Sequence, residues 1–221
     1  MKDGDVKRAE LLMDHYKDTS QLIQTHWAIR NRLFLFVLIL LSFMALELTN
    51  PGSIAAIVNE YLKKYLGDQS KMTLSFDLIS SVLWFLLLSL VIQYYQRSIN
   101  VDRRFRYMQN IEEQLCEILG ENTITREGLS YKTLNGRPDA PKTRPWFLRM
   151  VGPIYTYIFP VLLSVFICYK IYKENIALSE SKLQHDVSDG FNIFIGVILF
   201  VFNVLYVYWT LCEKSKERSS T

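Results

Sequence analysis

The sequence has few of the residues from which soluble enzymes and disulfide-bonded domains build their sites. It contains three cysteines and three histidines in 221 residues, and none of them forms a CxxC or Cys/His spacing suited to zinc. The HExxH, GxSxG, Walker and dinucleotide-binding motifs are also absent. These absences predict a protein that is not an enzyme and that has no catalytic residues, no metal, no cofactor and no disulfide framework.

What the sequence has in excess is hydrophobic residues, which make up 50% of the chain and are collected into four blocks. A helix rises about 1.5 Å per residue, so a block of about 20 apolar residues crosses the roughly 30 Å of hydrocarbon in a bilayer. The sequence therefore predicts an all-α integral membrane protein with four transmembrane helices and cytoplasmic helical extensions. The predicted spans are TM1 (33–49), TM2 (74–95), TM3 (151–170) and TM4 (191–212).

Charged residues between the blocks predict the orientation of the spans. Nineteen Lys and Arg fall in one set of alternate segments and six in the other, with Lys170 counted in the second set. The positive-inside rule places the richer set, including both termini, in the cytoplasm. The expected cytoplasmic segments are 1–32, 96–150 and 213–221, and the expected external segments are 50–73 and 171–190. Because the first thirty residues are polar and charged, TM1 is expected to act as its own insertion signal.

The polar segments beside TM1 and TM2 carry helical periodicity. The periodic apolar residues are Leu12, Tyr16, Ile23 and Trp27 before TM1, and Ile111, Leu115 and Ile118 after TM2. Gly120 is a credible end for the second helix. Two arrangements are open for these helices, a hairpin within one chain and packing between subunits. Segment 50–73 has an amphipathic pattern, which fits a helix in the outer membrane interface or one that lines a vestibule.

A polar face runs along the fourth predicted span, at steps of three and four residues. Its members are Asn192, Gly196, Leu199, Asn203 and Tyr206. Such a stripe lines a water-filled pore, or it lets neighbouring helices approach and hydrogen-bond to each other. Both interpretations are open from the sequence.

Acidic and proline residues mark the ends of the other spans. Glu47 and Asp77 lie near the outer ends of TM1 and TM2, where they suit a cation-attracting pore mouth or contact with lipid headgroups. Pro153 suits the start of the TM3 helix, and Pro160 is expected to kink it.

The predicted cytoplasmic segment 96–150 is strongly basic and contains several aromatic residues. Guanidinium groups suit phosphates and flat rings suit bases, so this segment is a candidate binding region for a nucleotide or a short DNA oligomer. Its candidate ligand-binding residues are Arg103, Arg104, Arg106, Arg126, Tyr131, Arg137, Lys142 and Arg144. The alternative is that the charges only orient the spans and contact anionic lipids.

Three stretches together resemble a known group of proteins. They are "HYKDTSQLIQTHWAIRNRLFLFVLILL" near the start, "YYQRSINVDRRFRYMQNIEEQL" after the second block, and "REGLSY" before "PIYTYIFP". The chain resembles small bacterial membrane proteins of anti-phage operons, with the nearest likeness to the membrane effectors of Hailong defence systems. The resemblance covers most of the chain, and its motifs are loose.

The resemblance implies a homo-oligomeric ion channel in the bacterial inner membrane, encoded beside a nucleotidyltransferase. Short deoxyadenylate oligomers made by that enzyme would hold the channel closed, and loss of this signal during phage infection would open it. Depolarisation and growth arrest would follow. Because four spans are too few to enclose an obvious polar conduit, the pore is expected on the symmetry axis of the oligomer. The alternative function is a non-conducting membrane adaptor or sensor that docks a cytoplasmic partner.

Overall fold

Every secondary-structure element in the described part of the chain is helical. The computed structural model describes residues 3–50, 56–57, 60–61, 64, 76–120, 153–181 and 187–219. The helices are α1 (Asp3–Thr49), α2 (Phe76–Leu119), α3 (Phe159–Ser181) and α4 (Val187–Ser219), with a π-helical turn, Ile154–Ile158, before α3. Four stretches are long and apolar enough to cross a membrane: Asp3–Thr49, Leu78–Leu119, Ile154–Glu174 and Gly190–Cys212. The described chain is thus all-helical with four candidate spans.

Helices α1 and α2 are long because nothing in their sequences interrupts them. Neither contains proline, and the only glycine in either helix is Gly4. Helix α1 ends at Thr49, two residues before Pro51, as expected where proline disfavours helical geometry in the residue that precedes it. Helix α2 ends at Leu119, and Gly120 follows with a φ of +91°. This left-handed conformation suits glycine, and the Gly120 N–H donates to the Cys116 carbonyl, 3.0 Å away. Gly120 therefore ends the helix as the sequence predicts.

The π-helical turn lies just before Pro160. Its backbone hydrogen bond spans five residues and not the usual four, because the Phe159 N–H donates to the Ile154 carbonyl. Proline lacks an N–H, and in an α-helix its ring conflicts with the carbonyl four residues before it. For Pro160 that carbonyl belongs to Thr156, inside the π-helical turn. The distortion expected from Pro160 therefore takes the form of a π-helical turn, in which the backbone hydrogen bonds shift from four to five residues.

The chain divides into two compact units, and unit 1 contains residues 3–34 of α1 and 93–119 of α2. Ile23 packs there against an apolar cluster of α2, and Ala9 packs against a second one. The α2 members of these clusters are Val101, Phe105, Met108, Ile111 and Leu115. The two polar helical segments thus form a hairpin within one chain, which is the first of the two arrangements that the sequence left open.

Unit 2 contains residues 35–49 of α1, 76–92 of α2, the π-helical turn, α3 and α4. Helices α3 and α4 pack against each other, and Gly196 of α4 lies at a close approach between helices. A Cβ atom at Gly196 would lie 2.8 Å from Ile171 Cδ1 and 3.3 Å from Trp84 Cη2. The absence of a side chain at Gly196 therefore lets α4 pack against α2 and α3 in this unit.

Two predicted segments are only partly described or lie outside the described residues. Within segment 50–73, which the sequence predicts to be external, Asn50 is described outside the helix, and residues 56–57, 60–61 and 64 are described and are helical. Residues 121–152, which include most of the basic segment, lie outside the described part of the chain. The amphipathic helix stays a prediction.

Candidate functional site

A buried lysine on α3 forms the centre of a charged cluster in unit 2. Lys170 is 1% exposed, and its Nζ lies 2.9 Å from Glu47 Oε2 and 2.7 Å from Glu174 Oε1. Glu47 of α1 is also 1% exposed, whereas the Glu174 side chain is 22% exposed. Glu174 therefore extends from the interior of unit 2 to its surface.

Two residues of α2 add further hydrogen bonds to this cluster. Lys170 Nζ donates to Ser80 Oγ at 3.3 Å, and the Ser80 hydroxyl donates to Glu174 Oε1 at 3.3 Å. The fully buried Trp84 donates from Nε1 to the two Glu174 oxygens at 3.3 and 3.4 Å. Lys170 Nζ also lies 5.8 Å from the centroid of the Trp84 ring, within cation–π range. We call these five residues, Glu47, Ser80, Trp84, Lys170 and Glu174, the Lys170 cluster.

Helical spacing explains why these side chains meet. Lys170 and Glu174 are four residues apart on α3, and Ser80 and Trp84 are four apart on α2, so each pair shares a helix face. Glu47 comes from the last turn of α1. Each of three candidate spans therefore contributes to one cluster.

The charges of the Lys170 cluster do not cancel. Two carboxylates and one ammonium sum to one negative charge when all three are ionised. In the described part of unit 2, Glu47 Oε1 is buried and has no hydrogen-bond partner. Ionisable groups in apolar surroundings cost several kcal/mol unless they are paired, so such groups in spans are rare and mark functional pathways. With all three groups ionised, the excess carboxylate would attract a cation to this region of unit 2.

The sequence pointed to one of the five residues of the Lys170 cluster, Glu47, and not to the other four. It assigned Glu47 to a pore mouth or to headgroup contact, but the Glu47 side chain is buried and bonded to Lys170. The side chain of Asp77, the second predicted mouth residue, lies outside the described part of the structure. Lys170 was counted as a loop charge, although an acid four residues later at Glu174 is a recognisable helical pairing signal. The pore-mouth role stays a prediction.

The predicted polar stripe of α4 faces the inside of unit 2. Its members Asn192, Gly196, Leu199, Asn203 and Tyr206 are all buried. Asn203 Nδ2 donates to the Pro160 carbonyl and to Ser164 Oγ, both at 2.6 Å. Asn192 Oδ1 is buried without a hydrogen-bond partner among the described residues. This burial favours helix packing over a pore lining within one chain, and the pore-lining role stays a prediction.

The predicted ligand-binding arginines lie partly in unit 1. Arg103 of α2 is exposed, while Arg104 and Arg106 are half-buried. The five other predicted ligand residues, Arg126, Tyr131, Arg137, Lys142 and Arg144, lie outside the described residues. No prediction for a nucleotide or DNA site is therefore tested beyond the position of these three arginines.

A contact that the sequence analysis did not assign lies beside Arg104. Arg97 Nη1 of α2 is 3.0 Å from His26 Nδ1 of α1. A guanidinium only donates hydrogen bonds, so His26 Nδ1 accepts, and the imidazole is neutral. Burial, and then the nearby charges of Arg104 and Arg97, lower the pKa of His26 from its ordinary value of 6.5. Unit 1 thus contains a neutral imidazole that contacts one guanidinium and is affected by the charge of a second.

Comparisons with known proteins identify no relative on which to base a function. No protein-family model matches the chain, and neither the curated proteins nor the solved structures contain a significant match.

Proposed function

We propose that the chain is one subunit of an ion channel in the bacterial inner membrane, an effector of anti-phage defence that opens to depolarise the cell. The channel is a homo-oligomer, and a nucleotide or a short DNA oligomer controls it from the cytoplasmic side. The Lys170 cluster is the observation that carries the conducting part of this proposal.

The surface of unit 2 supports insertion into a membrane. Large apolar side chains are exposed on all four candidate spans, including Leu35, Phe36, Val82, Phe85, Leu162, Val165, Phe194 and Val201. A soluble protein rarely exposes contiguous apolar surface on this scale, whereas helices in lipid need an apolar exterior. The same chain keeps its charged Lys170 cluster inside, as intramembrane charges require.

Cation conduction is the function that best explains why the Lys170 cluster has two carboxylates and one ammonium group. Glu174 connects the buried charges to the surface of unit 2, because its side chain is 22% exposed. In a symmetric oligomer, a carboxylate at such a position can attract a permeating cation. Lys170 keeps the local charge to one negative unit, which limits how tightly a cation is held. A channel needs this balance, since ions must both enter and leave.

The defence role and the nucleotide control rest on the resemblance to Hailong effectors and on the basic residues of segment 96–150. Their positive charge suits a polyanionic ligand. Asn192 and Asn203 are part of this proposal. They line the pore of the oligomer, or they hold the helices that form it. A nucleotidyltransferase encoded beside this gene would support the same role.

Electrical recording from the purified full chain in planar bilayers tests the proposal. We expect currents from the wild-type protein and an altered current from Glu174→Gln. Lys173→Met is the matched control, because Lys173 is an exposed charge on the same helix. Absence of current with and without short deoxyadenylate oligomers contradicts the proposal. If Asn203→Leu leaves ion flux and toxicity unchanged, the role of Asn203 in the pore is wrong.

A non-conducting adaptor that docks a cytoplasmic partner is the second candidate function. The observation in its favour is the positive charge of Arg97 and Arg104 in unit 1, which no carboxylate neutralises within the described residues. Such charges suit recognition of an acidic partner as well as a ligand. The adaptor is expected to give no conductance at any ligand concentration, so the same recording separates the two functions.

A further inference from the structure

In unit 1, Arg97 contacts the imidazole of His26, and the charge of Arg104 acts on the same ring. His26 lies on α1, and Arg97 and Arg104 lie on α2. Arg97 and Arg104 are seven residues apart, about two helical turns, and therefore share one face of α2. His26 experiences both of them, through a 3.0 Å contact with Arg97 and through the charge of Arg104.

The positive charge of this group is not neutralised within the described residues. Arg97 has His26 as its hydrogen-bond partner, and neither Arg97 nor Arg104 forms an ion pair with a described carboxylate. Arg30 lies one turn beyond His26 on α1, and it donates to Asn31 Oδ1 at 3.3 Å and stacks 5.7 Å from the Trp27 ring centroid. Arginine usually bonds to carboxylate or phosphate, so a bond from Arg97 to a neutral imidazole leaves most of its donors available.

We propose that His26, Arg97 and Arg104 form a binding site for a phosphate group. The guanidinium forks supply directed donors that match phosphate oxygens, and His26 supplies a third donor once it is protonated. When the anion enters, Arg97 turns from the imidazole to the phosphate, and the anion offsets the repulsion from Arg104 and Arg97 that adds to the effect of burial in lowering the pKa of His26. Phosphate binding and protonation of His26 therefore strengthen each other.

Two sources of phosphate share this chemistry. His26 lies seven residues before the apolar stretch that begins at Leu33, a rise of about 10 Å along α1, so a lipid headgroup is within reach. The other source is the soluble nucleotide of the proposed function, and in that case the inference rests on that function. The site itself requires no conduction, and it differs from the site predicted from the sequence because it adds His26 and Arg97 to Arg104.

The test is an NMR titration of the imidazole of His26 in the full chain, at constant ionic strength. His26→Gln assigns the signal among the three histidines of the chain. One arm adds inorganic phosphate to the protein in phosphatidylcholine nanodiscs, and the other compares phosphatidylcholine nanodiscs with nanodiscs that contain phosphatidylglycerol. We expect the pKa of His26 to rise by about one unit or more when a phosphate anion binds, as an adjacent opposite charge does.

The two arms distinguish the sources of the phosphate. A rise with inorganic phosphate supports a soluble ligand, a rise only with phosphatidylglycerol supports a lipid headgroup, and a rise in both supports a site open to either. No rise in either arm overturns the proposal.

Variants separate a specific site from general attraction to a basic helix. Arg97→Gln together with Arg104→Gln is expected to weaken phosphate binding at least tenfold, while Arg8→Gln, an exposed arginine of α1 in the same unit, leaves it unchanged. Arg104→Gln alone removes no hydrogen bond among the described residues and provides the test if the double variant fails to fold. Unchanged binding in both the single and the double variant overturns the proposal. Because the readout is binding and not current, its failure is distinguishable from failure of the channel.

Discussion

The cations Lys170 in unit 2 and Arg97 and Arg104 in unit 1 differ in whether carboxylates of the described residues pair with them. In unit 2, Lys170 is enclosed by the carboxylates of Glu47 and Glu174 and is 1% exposed. In unit 1, Arg97 and Arg104 are half-buried, and their common neighbour is the neutral His26. Helices α1 and α2 contribute residues to both units, whereas the buried cation Lys170 comes from α3, which belongs to unit 2 alone.

The comparison shows how burial decides which charges must be compensated within the chain. A charge removed from water costs several kcal/mol unless it is paired, and Lys170 is paired twice. A half-exposed guanidinium keeps part of its hydration and can exist without a carboxylate. Arg97 and Arg104 therefore stay available for an external anion, whereas Lys170 is paired with residues of its own chain.

The largest expected effect is on unit 2, when the cation of the Lys170 cluster is removed. Lys170→Met leaves two carboxylates near each other without a counter-charge, and we expect it to reduce the stability of the protein in detergent by about 3–5 kcal/mol. Denaturant titration followed by circular dichroism measures this loss. Lys173→Met, on the exposed side of the same helix, is expected to change stability by less than about 0.5 kcal/mol. Equal losses in the two variants would mean that the ion pair is not needed for folding.

A double variant tests whether Glu47 and Lys170 stabilise unit 2 as a pair. Glu47→Gln combined with Lys170→Met removes both charges of the fully buried pair, so the combined loss is expected to be smaller than the sum of the single losses by about 1–3 kcal/mol. Additive losses would show that Glu47 and Lys170 act independently.

The polar stripe of α4 gives the second largest expected effect. Asn203→Leu removes two hydrogen bonds and leaves the Pro160 carbonyl and Ser164 Oγ without this donor, at a cost of about 2 kcal/mol. Asn110→Leu, at an exposed position of α2 in unit 1, is the matched control. If both variants unfold at the same denaturant concentration, Asn203 does not hold α3 and α4 together.

The close approach at Gly196 gives a smaller effect. Gly196→Leu forces a side chain toward Ile171 and Trp84 and is expected to cost about 1–2 kcal/mol in the same unfolding measurement. Gly190→Leu is the control on the same helix, because a Cβ atom there meets nothing within 4 Å. A loss of stability in both variants would assign the effect to the leucine side chain and not to helix packing.

The smallest expected effect is the pH dependence of unit 1 in the absence of phosphate. Because the pKa of His26 is lower in the folded protein than in the unfolded chain, the unfolded chain binds more protons. The contribution of His26 to stability is therefore present above pH 6.5 and is lost as the pH falls through 6.5 toward the lower folded value. Unfolding midpoints from pH 8 to pH 5 measure this trend, which His26→Gln should weaken. An unchanged trend in His26→Gln would show that other groups cause it.

Sequence periodicity predicted much of the helical architecture, because apolar runs and uninterrupted helical segments are local properties. The four candidate spans, the stop at Gly120 and the apolar residues Ile23 and Ile111 of the hairpin could all be read in this way. The Lys170 cluster could not be predicted in this way, because Glu47 and Lys170 are 123 residues apart and their contact depends on how the spans pack. The position of Lys170 at the end of an apolar block also made it look like a loop charge.

For the polar stripe of α4, the sequence identified the residues but not their role. The sequence identified Asn203 correctly as one of a set of residues on one helix face, but both a pore and a partner helix require such a face. The burial of the stripe and the hydrogen bonds from Asn203 to Pro160 and Ser164 favour packing within the chain. The contact between His26 and Arg97 is likewise tertiary, and no spacing in the sequence pointed to it.

Cation conduction by unit 2, with the help of the carboxylate of Glu174, is the property on which the proposed function depends. Its most direct test is the reversal potential of currents through purified protein in a bilayer between unequal KCl concentrations. We predict a cation-selective reversal potential for the wild-type protein, a shift toward zero in Glu174→Gln, and no shift in Lys173→Met. Absence of any wild-type current, or a reversal potential that Glu174→Gln leaves unchanged, would contradict cation conduction that depends on Glu174.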